Sequence, residues 1–188
     1  QDKRLPYDVE AAKKLMAEAG YPNGFEVTMN CPNDRYVNDS QICQAVAANL
    51  ARINVKIDLL ADPKAIYFPK VLRRDTSFYM LGWTPSTYDA DNALNALMVC
   101  PDPKTGAGQF NLGSYCNPKL DALEHQIQSE TDQTKRQALI HQAFAIFADD
   151  IGSLPLHQQY LAWGVNKKVS LVQRADDIMD FKWITIKQ

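Results

Sequence analysis

Residues 77–83 read SFYMLGW, a run with no charge and one polar side chain. A stretch this short and this apolar predicts a strand buried on both faces, the signature of the centre of a parallel sheet. Working back from it, VKIDLL (55–60) and FEVTMN (25–30) alternate apolar and polar residues, as strands do. The segments between them carry the helical period. Residues 8–19 place Ala11, Ala12, Leu15, Met16 and Ala19 at three- and four-residue spacing, with Asp8 as cap, Gly20 as terminator and Pro22 barring continuation. A second helix, capped by Asp39 or Ser40, turns Ile42, Val46, Leu50 and Ile53 to one side. A third begins with Pro63 at its first position, runs to about Arg73, and is kinked at Pro69. The first 85 residues therefore read as alternating helix and strand, an α/β layer structure.

After residue 85 the pattern changes. Residues 89–98 predict a short helix, and 100–115 a loop rich in Gly, Pro and Asn. Two further helices follow. Asn117 caps the first, with Pro118 inside it and Leu120, Leu123 and Ile127 facing inward. Asp132 caps the second, with Leu139, Ile140, Ala143, Phe144 and Phe147 inward. Residues 154–165 are apolar and aromatic and predict a strand starting at Pro155. Residues 166–188 show no period before KWITI (182–186).

The composition excludes several classes. The chain has 188 residues, 46% of them hydrophobic and 22% charged, which supports a packed core and argues against disorder. Twenty basic against 22 acidic residues give a net charge of −2, so no basic surplus exists for a nucleic-acid backbone and no nucleic-acid partner is expected. No apolar run approaches a membrane span, and QDKRLP (1–6) lacks the apolar region of a signal peptide.

The four cysteines form two local pairs by spacing, Cys31/Cys43 and Cys100/Cys116, 12 and 16 residues apart. As disulfides each is worth roughly 3 kcal/mol. Free buried thiols are the alternative. Neither CxxC nor HxxxH occurs, so no metal is expected, and nothing implies a cofactor. An enzyme finds little support. His125 and His141 fall mid-helix and His157 in the apolar stretch. No GxSxG elbow or P-loop is present, and Gly106 and Gly108 follow no strand. The paired acids Asp89/Asp91, Asp149/Asp150 and Asp176/Asp177 read as caps or solvated turns.

The informative cluster is LGWTPSTYDADN (81–92), where a buried strand gives way to a polar loop containing aromatic residues. In open α/β sheets ligands sit beyond the carboxyl ends of the strands. Trp83 and Tyr88 offer stacking walls, and Thr84, Ser86 and Asp89 offer hydrogen bonds. Arg35, in the loop after the first strand, lies at the same edge if the strands are parallel and then offers a fork for a carboxylate. The plainer reading is a core Trp, a capped helix and a surface Arg.

The chain resembles the C-terminal portion of the bacterial extracellular solute-binding proteins of family 5, the peptide-type binding proteins of ABC importers. The matching stretches run in order: YDVEAAKKLMAEAGYPNGFEV (7–27), ARINVKIDLL (51–60), LGWT (81–84), DADNAL (89–94), QFNLGSYCNPKLDAL (109–123), ETDQTKRQAL (130–139) and ADDIGSLPLH (148–157). The resemblance implies one lobe of a two-lobed, type II periplasmic-binding-protein fold, with a mixed sheet flanked by helices. Residues 1–160 would be the ligand-binding lobe and 161–188 a tail returning to the absent lobe. It implies a periplasmic location, a peptide or other small polar solute as ligand, a permease in the inner membrane as partner, and no catalysis. It also implies the disulfide Cys100–Cys116, with Cys31–Cys43 following. Arg35 matches the position that holds a ligand carboxylate in dipeptide-binding members, across a two-residue gap. Ser86 stands where those members carry an Asp for the ligand's amino group, which puts dipeptide specificity in doubt and leaves Asp89 as substitute anchor. The rival readings are a small self-contained α/β hydrolase and a chaperone-like or adhesion module.

Overall fold

The computed structural model describes residues 6–174 and 176–187. Those up to Gly82 form one compact unit and those from Trp83 onward a second.

In the first unit the order is α1 (Val9–Glu18), β1 (Phe25–Pro32), α2 (Asp39–Ala51), β2 (Val55–Asp62), α3 (Lys64–Leu72) and β3 (Phe78–Tyr79). The sheet order is β2-β1-β3 and every pairing is parallel, from Phe25 opposite Val55 to Pro32 opposite Asp62, and Met29 opposite Phe78. Parallel neighbours need crossovers, and α2 and α3 supply them. The central strand is thus β1 rather than 77–83, and burial agrees: Met29 to Pro32 are all buried. The ladder of β3 stops at Tyr79, extended by one bond from the Met80 N–H to the Asn30 carbonyl. A buried cluster of Met29, the Cys31–Cys43 disulfide and Met80 fills the unit beneath α2.

Capping follows the sequence at α1, where the Asp8 carboxylate accepts the Ala11 N–H. It departs at α2 and α3. Asn38 occupies the α2 cap with φ 58° and gives no side-chain bond, while Asp39 is the first helical residue. Pro63 is the residue before α3 rather than its first.

The second unit opens with one turn of α-helix, α4 (Asp91–Ala93), which widens into a π-helical turn at Leu94–Met98. Then come α5 (Pro118–Ser129) and α6 (Gln133–Asp149), capped by Asn117 and Asp132 as expected. The core joins Leu94 and Val99 to Leu120 and Ile127 of α5 and Ile140, Ala143 and Phe147 of α6. Glu124 is buried among them, and the Asn95 and Gln128 amides donate to its carboxylate. The Cys100–Cys116 disulfide closes the intervening loop. Within it buried Asn111 donates to the Val99 and Tyr115 carbonyls and accepts the Tyr115 N–H.

Residues 154–166 adopt no regular structure, against the strand expected from Pro155. A strand exists only where a ladder forms, and among the described residues none runs alongside. Most of their apolar side chains face solvent, Tyr160 at 94% exposure, while Leu161 is half-buried. Two short strands close the chain, β4 (Val169–Ser170) antiparallel to β5 (Thr185–Ile186).

Candidate functional site

The parallel register brings the carboxyl ends of β1 and β3 to one edge of the sheet, the edge where the sequence places Arg35 and the stretch leading to Gly82. The loop holding Arg35 is built on Asp39. Its buried carboxylate accepts the backbone N–H groups of Arg35 (2.9 Å), Tyr36 (3.1 Å) and Ser40 (2.8 Å). Burial pushes the Asp39 pKa up, but these amides outweigh it and hold the carboxyl below its usual range. The exposed Arg35 guanidinium lies 5.0 Å from the centroid of the Tyr36 ring. Tyr36 Oη accepts the Gly82 N–H at 2.9 Å. That approach requires glycine, because a Cβ at position 82 would stand 2.7 Å from the Tyr36 ring. Tyr67 of α3 is buried, donates to the Met80 carbonyl, and has its phenol pushed well above its usual range by burial.

The second unit carries the remaining candidates on the loop 83–92, and Asn92 is their organiser. Trp83 is half-buried against Phe110, ring centroids 5.1 Å apart, and its Nε1–H donates to Asn92 Oδ1 at 3.0 Å. Asn92 Nδ2 donates to Ser86 Oγ at 3.1 Å, so one amide ties the two ends of the loop. Thr87 Oγ1 accepts the Asp89 N–H at 3.3 Å, and Asp89 Oδ1 accepts the Asp91 N–H at 2.9 Å. Thr84 and Tyr88 are exposed.

Asp89 is fully engaged. Arg136 of α6 binds both of its oxygens, at 3.0 and 2.9 Å, while the Arg136 Nε–H donates to the Ile127 carbonyl. The Arg136 hydrogen bond, helped by the Asp91 N–H, lowers the Asp89 pKa. Asp91 shifts the other way, raised first by burial and then by the Asp89 charge. The structure therefore joins Trp83, Ser86 and Asp89 through one network in the second unit, and Arg35 belongs to the first.

Asn92, Thr87, Arg136 and Tyr36 were not among the residues singled out from the sequence. Asn92 and Thr87 stand inside the quoted stretch, and Tyr36 is next to Arg35. Nothing in the sequence joins Arg136 to Asp89, 47 residues away. The histidines lie elsewhere: the exposed His125 has Nδ1 3.5 Å from Glu124, His141 Nε2 is 2.8 Å from the Gln137 amide, and His157 is exposed. All four cysteines are in disulfides.

Heme-binding protein A of Haemophilus influenzae is 29% identical to the chain over 157 residues, 80% of this chain and 27% of that protein. Glutathione-binding protein GsiB of Pectobacterium atrosepticum is 29% identical over 143 residues, 73% of this chain and 27% of that protein. The chain thus spans under a third of the length of these curated relatives. Among solved structures, the periplasmic binding protein DppA of Helicobacter pylori, in complex with the peptide STSA, superposes with a TM-score of 0.82 at 22% identity. That match covers 99% of this chain and 36% of that one, and it shows the fold of the periplasmic binding proteins. The family model described as bacterial extracellular solute-binding proteins, family 5 Middle, matches residues 1–104, more than half of the chain. The chain therefore belongs to the family 5 bacterial extracellular solute-binding proteins.

Proposed function

We propose that the chain is part of the substrate-binding component of an ABC importer, which captures a peptide or similarly small polar solute in the periplasm and delivers it to a permease in the inner membrane. The observation that carries this reading is the family match over residues 1–104, joined to relatives whose names state glutathione and heme binding. In this reading residues 1–160 are the ligand-binding lobe and 161–188 return towards the rest of the polypeptide. Closure of two lobes on the solute shifts an open–closed equilibrium, with no covalent chemistry. Trp83, Thr84, Ser86, Tyr88 and Asp89 serve the solute from the second unit, Asp89 through its grip on Arg136. Arg35 of the first unit supplies a cation for a solute carboxylate.

Titration calorimetry with a peptide mixture tests the mechanism. In this reading the other lobe supplies half of the contacts, so the intact polypeptide is expected to bind and these 188 residues alone to bind far more weakly. Micromolar binding by the 188-residue chain overturns the two-lobed mechanism. Immunoblotting of osmotic-shock fluid tests the location: a band in the cytoplasmic fraction alone contradicts it.

A further inference from the structure

Among the described residues, one group of three side chains with metal-ligating atoms comes together. It consists of Cys100, Cys116 and Asp121, whose two sulfurs and a carboxylate oxygen all lie within 4.8 Å of one another. The loop 99–116 brings Cys100 back to the start of α5, where Cys116 precedes the Asn117 cap and Asp121 lies in the first turn. The Cys100 N–H donates to Asp121 Oδ1 at 3.0 Å and holds the carboxylate beside the sulfur pair. The two disulfides differ in access. Cys31 and Cys43 are both 0% exposed, whereas Cys116 is exposed. A dissolved dithiol therefore reaches the second bond and not the first.

We infer that Cys100, Cys116 and Asp121 form a redox-gated site for a thiophilic divalent cation of the zinc type, shut while the sulfurs are bonded to each other and opened by a dithiol. A thiolate of the dithiol attacks Cys116 Sγ, the Sγ–Sγ bond breaks, and Cys100 leaves as a thiolate. The dithiol's second sulfur then displaces Cys116 and closes its own disulfide, so two electrons pass to the protein. The cation takes both sulfurs as thiolates, and their protons go to solvent. Two thiolates and one carboxylate suit borderline-soft Zn2+, with water in the fourth position. Zn–S bonds of about 2.3 Å and Zn–O bonds of about 2.1 Å put tetrahedral ligands roughly 3.5–4 Å apart. The carboxylate already stands near that spacing, and only the sulfurs, once unbonded, have to separate. The three anionic ligands exceed the charge of the cation by one, and the positive end of α5 favours that surplus.

The test compares the intact polypeptide, oxidised and after treatment with a dithiol that is then removed without air, using Zn2+ and Co2+ as probes. Mass spectrometry after alkylation is expected to find Cys100 and Cys116 modified and Cys31 and Cys43 still joined. The reduced form is expected to bind one more equivalent of Zn2+ than the oxidised form, and Co2+ to show the charge-transfer absorption of thiolate ligands. Cys100→Ser removes that absorption. Asp121→Asn keeps an acceptor for the Cys100 N–H while removing the charge, and weakens Zn2+ binding roughly tenfold or more. A Cys100–Cys116 bond that resists the dithiol, equal Zn2+ uptake by the two redox forms, or full affinity in Asp121→Asn overturns the inference. Asp121→Asn retains the disulfide and the helix cap, so its result decides even where Cys100→Ser fails to fold. The solute-binding reading stands or falls separately from each of these outcomes.

Discussion

At the scale of single residues, the loop at the sheet edge depends on two unusual demands. Asp39 satisfies three backbone N–H groups at once, and in Asp39→Ala they are left in a part-buried site without an acceptor. The variant should lose about 2 kcal/mol of stability at neutral pH in urea unfolding. Because the folded-state pKa of Asp39 is lowered, its contribution is complete above the ordinary carboxyl value and is lost as pH falls through the lower folded one. The gap between wild type and Asp39→Ala should therefore close below about pH 4; a gap unchanged there contradicts the assignment. Gly82 makes the second demand. Gly82→Ala drives a methyl into the Tyr36 ring and should cost about 1–2 kcal/mol. In a Tyr36→Ala background the same substitution should cost almost nothing, and additive losses in that double-mutant cycle would show the two sites to be uncoupled. Both demands were invisible beforehand. A sequence displays that Asp39 suits a helix start, but not that the loop before it needs the carboxylate more.

Among the elements, those with local signals were legible. α1, α5 and α6 declare themselves through Asp8, Asn117 and Asp132 and through apolar spacing, since caps and helical period are properties of neighbours in the chain. β1 and β2 show alternation and fall where expected. Elements defined by distant partners were misread. SFYMLGW has the composition of a central strand yet takes the edge, because strand order is a property of the whole sheet. The stretch 154–165 has the composition of a strand without a ladder. The loop 83–92 was recognisable as a candidate site from its residue types, but its wiring through Asn92 and Arg136 depends on which helices come together. The loop 99–116 is an element held by covalent closure and by Asn111. Replacing Cys100 and Cys116 together by Ser should lower stability by about 3 kcal/mol. Hydrogen exchange should accelerate in that loop and at the start of α5, and leave β1 and β2 unchanged; uniform acceleration through both units would show that the loop is not a local element.

For the molecule as a whole, the uncovered apolar side chains are concentrated in its last part. Leu154, Leu156, Tyr160, Trp163 and Val165 are all exposed in succession. Surfaces of this kind are covered in the working state of a protein or drive association. Sedimentation of the isolated 188 residues should show concentration-dependent self-association, and substitution of Tyr160 and Trp163 by Ser should reduce it. A monodisperse monomer at high concentration would mean that this stretch folds away in solution. The covalent links divide otherwise. The first cysteine pairs with the second and the third with the fourth, each bond within its own unit. Along the chain, each of these four sulfurs reaches its mate before either sulfur of the other pair, so the two bonds neither cross nor enclose one another. Oxidation of these four thiols in order of sequence gives the pairing seen, each pair closing a loop inside its own unit.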